Sequence, residues 1–172
     1  MKNTVLKFGV YSGLVSAALM LATVPFMHQI GFDKGLFVGY TAMLISFLFV
    51  YFGVRSYRDT VLGGSMSFAT GFNVGILITL ISCLFYVGTW LFVYFLLMPD
   101  FGAKFGEFLI ESALAKGASP AELQATAKQA ADYQVLLDNP FTNAAYSFIE
   151  PFPVGLLVTM ISAAVLRKRE AA

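Results

Sequence analysis

The sequence predicts an all-α integral membrane protein, a four-helix bundle with a helical hairpin on its outer face between spans three and four. Three observations predict it. Hydrophobic residues fill 58% of the 172 positions and charged residues 12%, with a mean hydropathy of +0.76, outside the usual range of soluble domains. The apolar residues fall in blocks: positions 8–27, 35–54 and 60–99 carry no charge, and Glu150 alone interrupts 139–166. Each block reaches the ~20 residues a helix needs to cross a hydrocarbon core. Finally, one stretch, 99–139, mixes charged and apolar residues at helical spacing.

The first span covers about 8–27. Lys2 and Lys7 precede it as they would a signal peptide. Its apolar run exceeds the roughly 7–15 residues of a signal h-region, and no small-x-small cleavage site follows, so the helix is expected to be retained. Pro25 marks its end. A short loop with His28, Asp33 and Lys34 then turns the chain into a second span at 35–54, packed on the first as an antiparallel hairpin. That span stops at "RSYRD", where Arg55 and Asp59 are four apart and can pair, with Arg58 free to meet lipid phosphate.

"TVLGGSMS", residues 60–67, reads as a turn on Gly63 and Gly64. No charge falls between Phe68 and Met98, a helical length of about 46 Å against a core of roughly 30 Å. A third span at 72–96 with an interfacial lead-in accommodates the excess. In the insert, Phe101, Phe105, Phe108 and Leu109 oppose Lys104, Glu107 and Glu111, which predicts an amphipathic helix ending at Gly117. "SPAE" starts a second helix, with Ser119 as N-cap, Pro120 at the first helical position and Glu122 closing a capping box. It ends at Asp138, Asn139 and Pro140. The phenylalanine stripe has three uses open to it: the bilayer surface, the second helix of the hairpin, or another protein.

The fourth span, about 141–166, contains "EPFP". Pro151 and Pro153 lack backbone N–H groups and disfavour helix before them, so the span should break or kink there. Counted from Leu166, Glu150 lies about 24 Å along the helix, some 6 Å beneath the outer boundary of a core of roughly 30 Å. A carboxylate there costs several kcal/mol unless paired, hydrated or protonated. Two readings stand. Glu150 caps the second half-helix against its dipole, or the break lines a polar pocket as discontinuous helices do in transporters, with Tyr40, Trp90 and Tyr94 at the same depth to donate to it.

Small-residue spacings, Gly9 with Gly13, Gly35 with Gly39 and Gly71 with Gly75, predict close helix packing within the bundle. Asn73, Thr79, Ser82, Thr89 and Ser162 read as hydrogen-bond glue between helices. One His and one Cys assemble no zinc site, and no phosphate loop or nucleophile elbow occurs. No enzyme activity, cofactor or metal is expected. Net charge of +1 says nothing about nucleic acid, and no nucleic-acid partner is expected. The partners expected are membrane lipids and, for so small a bundle, a second copy or another membrane protein.

Charge sets the orientation. Lys2, Lys7, Arg55, Arg58, Arg167, Lys168 and Arg169 gather at one end against Asp59 and Glu170, while acidic residues prevail at the other. The positive-inside rule puts both termini in the cytoplasm and the basic clusters at the cytoplasmic face as anchors.

At "YFGVRSYRD", "GFNVGILITLI", "YVGTW" and "EPFPVGL" the chain resembles the bacterial membrane proteins grouped as domain of unknown function 4199. The resemblance runs from the first helix to the basic tail. It implies a small four-span protein of the bacterial inner membrane, which would make the hairpin periplasmic, and it carries no catalytic residues to transfer.

Overall fold

The structure is a computed structural model that describes residues 1–168, apart from the side chain of His28. Arg169, part of the expected basic tail, lies outside the described residues. The helices run in the order α1 (Lys2–Thr23), α2 (Met27–Thr60), α3 (Phe68–Phe92), α4 (Phe101–Ala115), α5 (Pro120–Asp138), α6 (Pro140–Ile149) and α7 (Pro151–Leu166). A 3-10 turn at Val24–Phe26 joins α1 to α2, and a widened π turn at Val93–Leu97 ends α3. Four stretches are long and apolar enough to cross a bilayer: Lys2–Phe26, Gln29–Thr60, Phe68–Leu97 and Pro140–Leu166. Each buries only 28–33% of its most apolar window inside the chain. Side chains such as Leu84 and Val165 therefore point outward, 66% and 67% exposed. An apolar exterior of this extent suits lipid and is a liability in water.

The helices overrun the uncharged blocks because nothing stops them there. Asp33 and Lys34, expected in a loop, are helical. The reversal instead uses the turn after Thr23 and a kink at Gly31, whose φ of 69° and ψ of 165° are open to glycine and strained for other residues. The lead-in before span three is itself helical: α3 starts at Phe68, where the Ser67 hydroxyl accepts from the Thr70 N–H.

α3 is the centre of the bundle and packs on α1, α2 and α7. Its Val74 and Ile78 meet Phe47, Val50 and Val54 of α2 in the core. Two glycine pairs serve this packing. A Cβ on Gly9 would stand 2.9 Å from Ile81, and one on Gly75 would stand 2.9 Å from Thr159. The third pair departs from expectation: a Cβ on Gly35 or Gly39 would meet nothing within 4 Å, because α2 there borders a cleft and not another helix.

Hydrogen bonds cross the bundle where spans meet. Ser12 donates to the Ser46 carbonyl at 2.8 Å and to Ser82 Oγ at 2.9 Å, and the Thr79 and Thr159 hydroxyls pair at 2.9 Å. Thr89 behaves otherwise and bonds back to Phe85 of its own helix at 2.8 Å. At the basic end, Met66 and Lys168 exchange backbone hydrogen bonds at 2.9 and 3.0 Å. Arg55 pairs with Asp59 at 3.6 Å as its spacing suggests. Arg58 is not free as expected: its Nε lies 2.6 Å from Asp59 and its Nη1 donates to the Leu166 carbonyl at 3.4 Å.

α4 and α5 form the helical hairpin. Gly117, with φ of 78°, ends the first arm, and the complete Ser119–Glu122 capping box opens the second. The arms approach closely because Gly106 faces Ala130. Asn139 then caps α6 by accepting from the Phe141 N–H at 2.9 Å.

Candidate functional site

The phenylalanine stripe of α4 turns inward. Phe32, just past the Gly31 kink, lies 5.5 Å from Phe101, 5.4 Å from Phe105 and 5.2 Å from Phe108 between ring centroids, and Phe105 packs on Tyr133 of α5 at 5.9 Å. These rings roof a cleft of about 560 Å³ that reaches in to Tyr86 and Glu150. Of the three uses open to the stripe, the structure shows packing within the chain.

Glu150 stands where α6 passes into α7. Pro151 lacks the N–H that would bond back to Ser147, and its ring crowds that turn, so the span divides there. The backbone at Glu150 stays in the helical region, φ −69° and ψ −57°, and its side chain makes no cap hydrogen bond. Glu150 thus stands at the N-terminus of α7 as expected, without a hydrogen bond from its side chain to the first turn. Instead Tyr86 donates to Glu150 Oε2 at 2.8 Å.

The other expected donors are placed differently. Trp90 lines the cleft but donates its indole N–H to Asn143 Oδ1 at 2.9 Å. Tyr94 is buried outside the cleft and donates to Asp138 Oδ1 at 2.9 Å. Tyr40 is 43% exposed and does not line the cleft. Tyr86, Trp90 and Tyr94 recur every four residues on one face of the third span, and each meets the next acceptor along the antiparallel run Glu150, Asn143, Asp138. Sequence reasoning missed Tyr86, although its spacing from Trp90 and Tyr94 marks the shared face.

Asn143 was also missed. It is fully buried, accepts from Trp90 and from Ser147 at 3.0 Å, and donates Nδ2 to the Leu137 carbonyl at 2.8 Å. These bonds clamp α6 to both α3 and the hairpin. Tyr133 of α5 and Tyr146, four residues before Glu150 on α6, line the cleft with it, their rings 6.0 Å apart and perpendicular. Burial first, then the charge of Glu150 and the neighbouring Tyr146, raise the Tyr133 phenol above its ordinary 10.0.

Two carboxylates, Asp33 and Glu150, line the cleft, and no Lys or Arg does among the described residues. The described residues hold no group of three or more His, Cys, Asp or Glu able to take a metal ion, and Cys83 is buried in the core. Such an arrangement can bind, orient and hydrogen-bond a guest.

No curated protein and no solved structure matches the chain. The model of the family described as "Protein of unknown function (DUF4199)" matches residues 7–168, so that most of α1, the other helices, the hairpin and the cleft fall within it, and the chain belongs to this family.

Proposed function

We propose that the protein is a non-enzymatic structural or accessory component of the bacterial inner membrane. It spans the membrane four times, with both termini cytoplasmic and the α4–α5 hairpin periplasmic. One observation carries the reading: the bonds from Tyr94 to Asp138 and from Asn143 to the Leu137 carbonyl tie the end of α5 to the bundle, while those from Tyr86 to Glu150 and Trp90 to Asn143 fasten the fourth span, on which the hairpin ends, to the third. Such a unit presents a fixed surface, as an accessory subunit or a self-associating scaffold requires. The orientation is supported by Lys2, Lys7, Arg55, Arg58, Arg167 and Lys168, which share the end of the bundle opposite the hairpin.

Affinity purification in mild detergent, with the full chain and with residues 99–139 replaced by a short linker, tests this role. A protein recovered in constant stoichiometry with the full chain alone supports it, and an identical set from both chains rules out recruitment by the hairpin. An N-terminal reporter found outside the cytoplasm overturns the orientation.

A second reading, a small oligomeric transporter or proton pathway, is favoured by one observation: Glu150 opens into the cleft. The lining stops at Met43, Tyr86 and Glu150, and beneath it Phe47 and Ile78 are buried core. Binding is thus better served than passage. Flux in proteoliposomes that is absent from the parent chain ends the pathway reading, and flux lost in Glu150→Gln favours it over the accessory one.

A further inference from the structure

We propose that the cleft binds an amphiphile with a single ammonium head, which enters sideways from the bilayer between α1 and α2. Its head lies against Glu150, and its chain lies along Gly35 and Gly39. The inference goes beyond the accessory reading, and it shares a site with the pathway reading without requiring flux.

Charge selects the head. Tyr86 engages Oε2 of Glu150, which leaves Oε1 without a protein donor among the described residues. Asp33 adds a second acid at the rim, and with no Lys or Arg on the walls a phosphate or carboxylate head would be repelled. The rings of Trp90, Tyr133 and Tyr146 join Glu150 on the lining, and aromatic faces attract ammonium groups, most strongly where water is excluded. An acid at the end of an aromatic-walled cleft recognises a cation twice, by charge and by ring face.

Shape selects the tail. The cleft volume, about 560 Å³, lies within the 300–1,000 Å³ typical of sites for small molecules. It also continues outward. Leu19, Thr23, Val38 and Ala42 line both the cleft and a shallow apolar groove between α1 and α2, where Phe37, Thr41 and Ile45 join them. Phe37 is 79% exposed and Ile45 44%, so the groove opens on the side where the apolar exterior faces lipid. Gly35 and Gly39 line the cleft with free space above them. Whereas the other two glycine pairs admit a helix, this pair leaves room for a chain.

The single tryptophan of the sequence, Trp90, lines the cleft and reports on its occupancy. The full chain in neutral phosphatidylcholine nanodiscs is titrated with tetradecyltrimethylammonium, with tetradecyl maltoside, which is uncharged, and with anionic tetradecyl sulfate. Emission of Trp90 should change saturably with the cation, with the neutral probe weaker by about tenfold or more, as expected for loss of a charged contact, and with no saturable change from the anion. Glu150→Gln keeps an acceptor for Tyr86 and should weaken the cation to the level of the neutral probe. Gly39→Leu, whose Cβ meets no neighbour, should fold with an unchanged thermal transition and abolish the response to both. Equal affinity for the cationic and neutral probes, a Glu150→Gln variant that binds like the parent, or equal affinity for tetramethylammonium, which has no chain to enter from lipid, overturns the proposal. Saturable binding without flux leaves it standing and removes only the pathway reading.

Discussion

Tyr86 hands its phenolic hydrogen to Glu150 across 2.8 Å, and this bond joins the central span to the break in the fourth. Removing only the donor by Tyr86→Phe leaves the carboxylate to whatever water reaches the cleft. A loss of about 1–2 kcal/mol is expected, between the cost of an unmade charged bond and the smaller values found between membrane helices. The Tyr86→Phe/Glu150→Ala double variant should lose less than the sum of the two singles, since one interaction cannot be removed twice. Denaturation in mixed micelles measures all four proteins, and additivity within about 0.3 kcal/mol would show that the two residues are not coupled.

The three glycine pairs should separate under alanine substitution. At Gly75 the new methyl would sit 2.9 Å from Thr159 Cγ2 and 3.3 Å from Val54 Cγ2, and overpacking of this kind costs about 1–3 kcal/mol. At Gly39 it meets nothing, so Gly39→Ala should be neutral or gain up to about 1 kcal/mol from a stiffer helix. Thermal transitions in the same detergent decide it. Equal destabilisation at both sites would mean that the space beside Gly39 is filled in the folded protein.

The capping box makes the hairpin acid-sensitive. Backbone and side-chain hydrogen bonds from Ser119 hold the Glu122 carboxyl below its ordinary 4.5. A depressed carboxyl stabilises the fold above its unfolded value and loses that contribution as pH falls through the lower folded value. Amide exchange at the start of α5 should therefore accelerate below pH 4.5, beyond the intrinsic pH trend. Glu122→Gln, which has no carboxyl to titrate, should remove this excess, and no difference between the two proteins at low pH would refute the linkage.

How much was legible follows from the range over which each feature is determined. The spans could be read because crossing hydrocarbon constrains some twenty consecutive residues at once. The α5 start could be read because Ser119, Pro120 and Glu122 act within one turn. The junction of α1 and α2 was misread because Asp33 and Lys34 look like loop residues, whereas polarity alone does not end a helix and the reversal uses the turn at Val24–Phe26 and the kink at Gly31. The site was half legible. Depth along the helices drew attention to Glu150 and Trp90, but which donor meets which acceptor depends on the register of α6 against α3. No periodicity within either segment encodes that register. The glycine pairs are alike on paper for the same reason, since what faces each is decided by other helices.

Asn143 is the most demanding test of the hydrogen-bonded run. Truncation by Asn143→Ala deprives the Trp90 N–H and the Leu137 carbonyl of their partners together, and it opens a void at a fully buried position. Each unsatisfied buried group costs about 1–3 kcal/mol and the void adds to it, so a total of about 3–5 kcal/mol is expected. Trp90 emission should shift as its N–H seeks water, well before global unfolding, because the bond that fails first joins α3 to α6. If Asn143→Ala instead unfolds within about 1 kcal/mol of the parent with unchanged emission, the run is not what fastens the hairpin to the bundle. The accessory reading would then lose the rigid surface on which it depends.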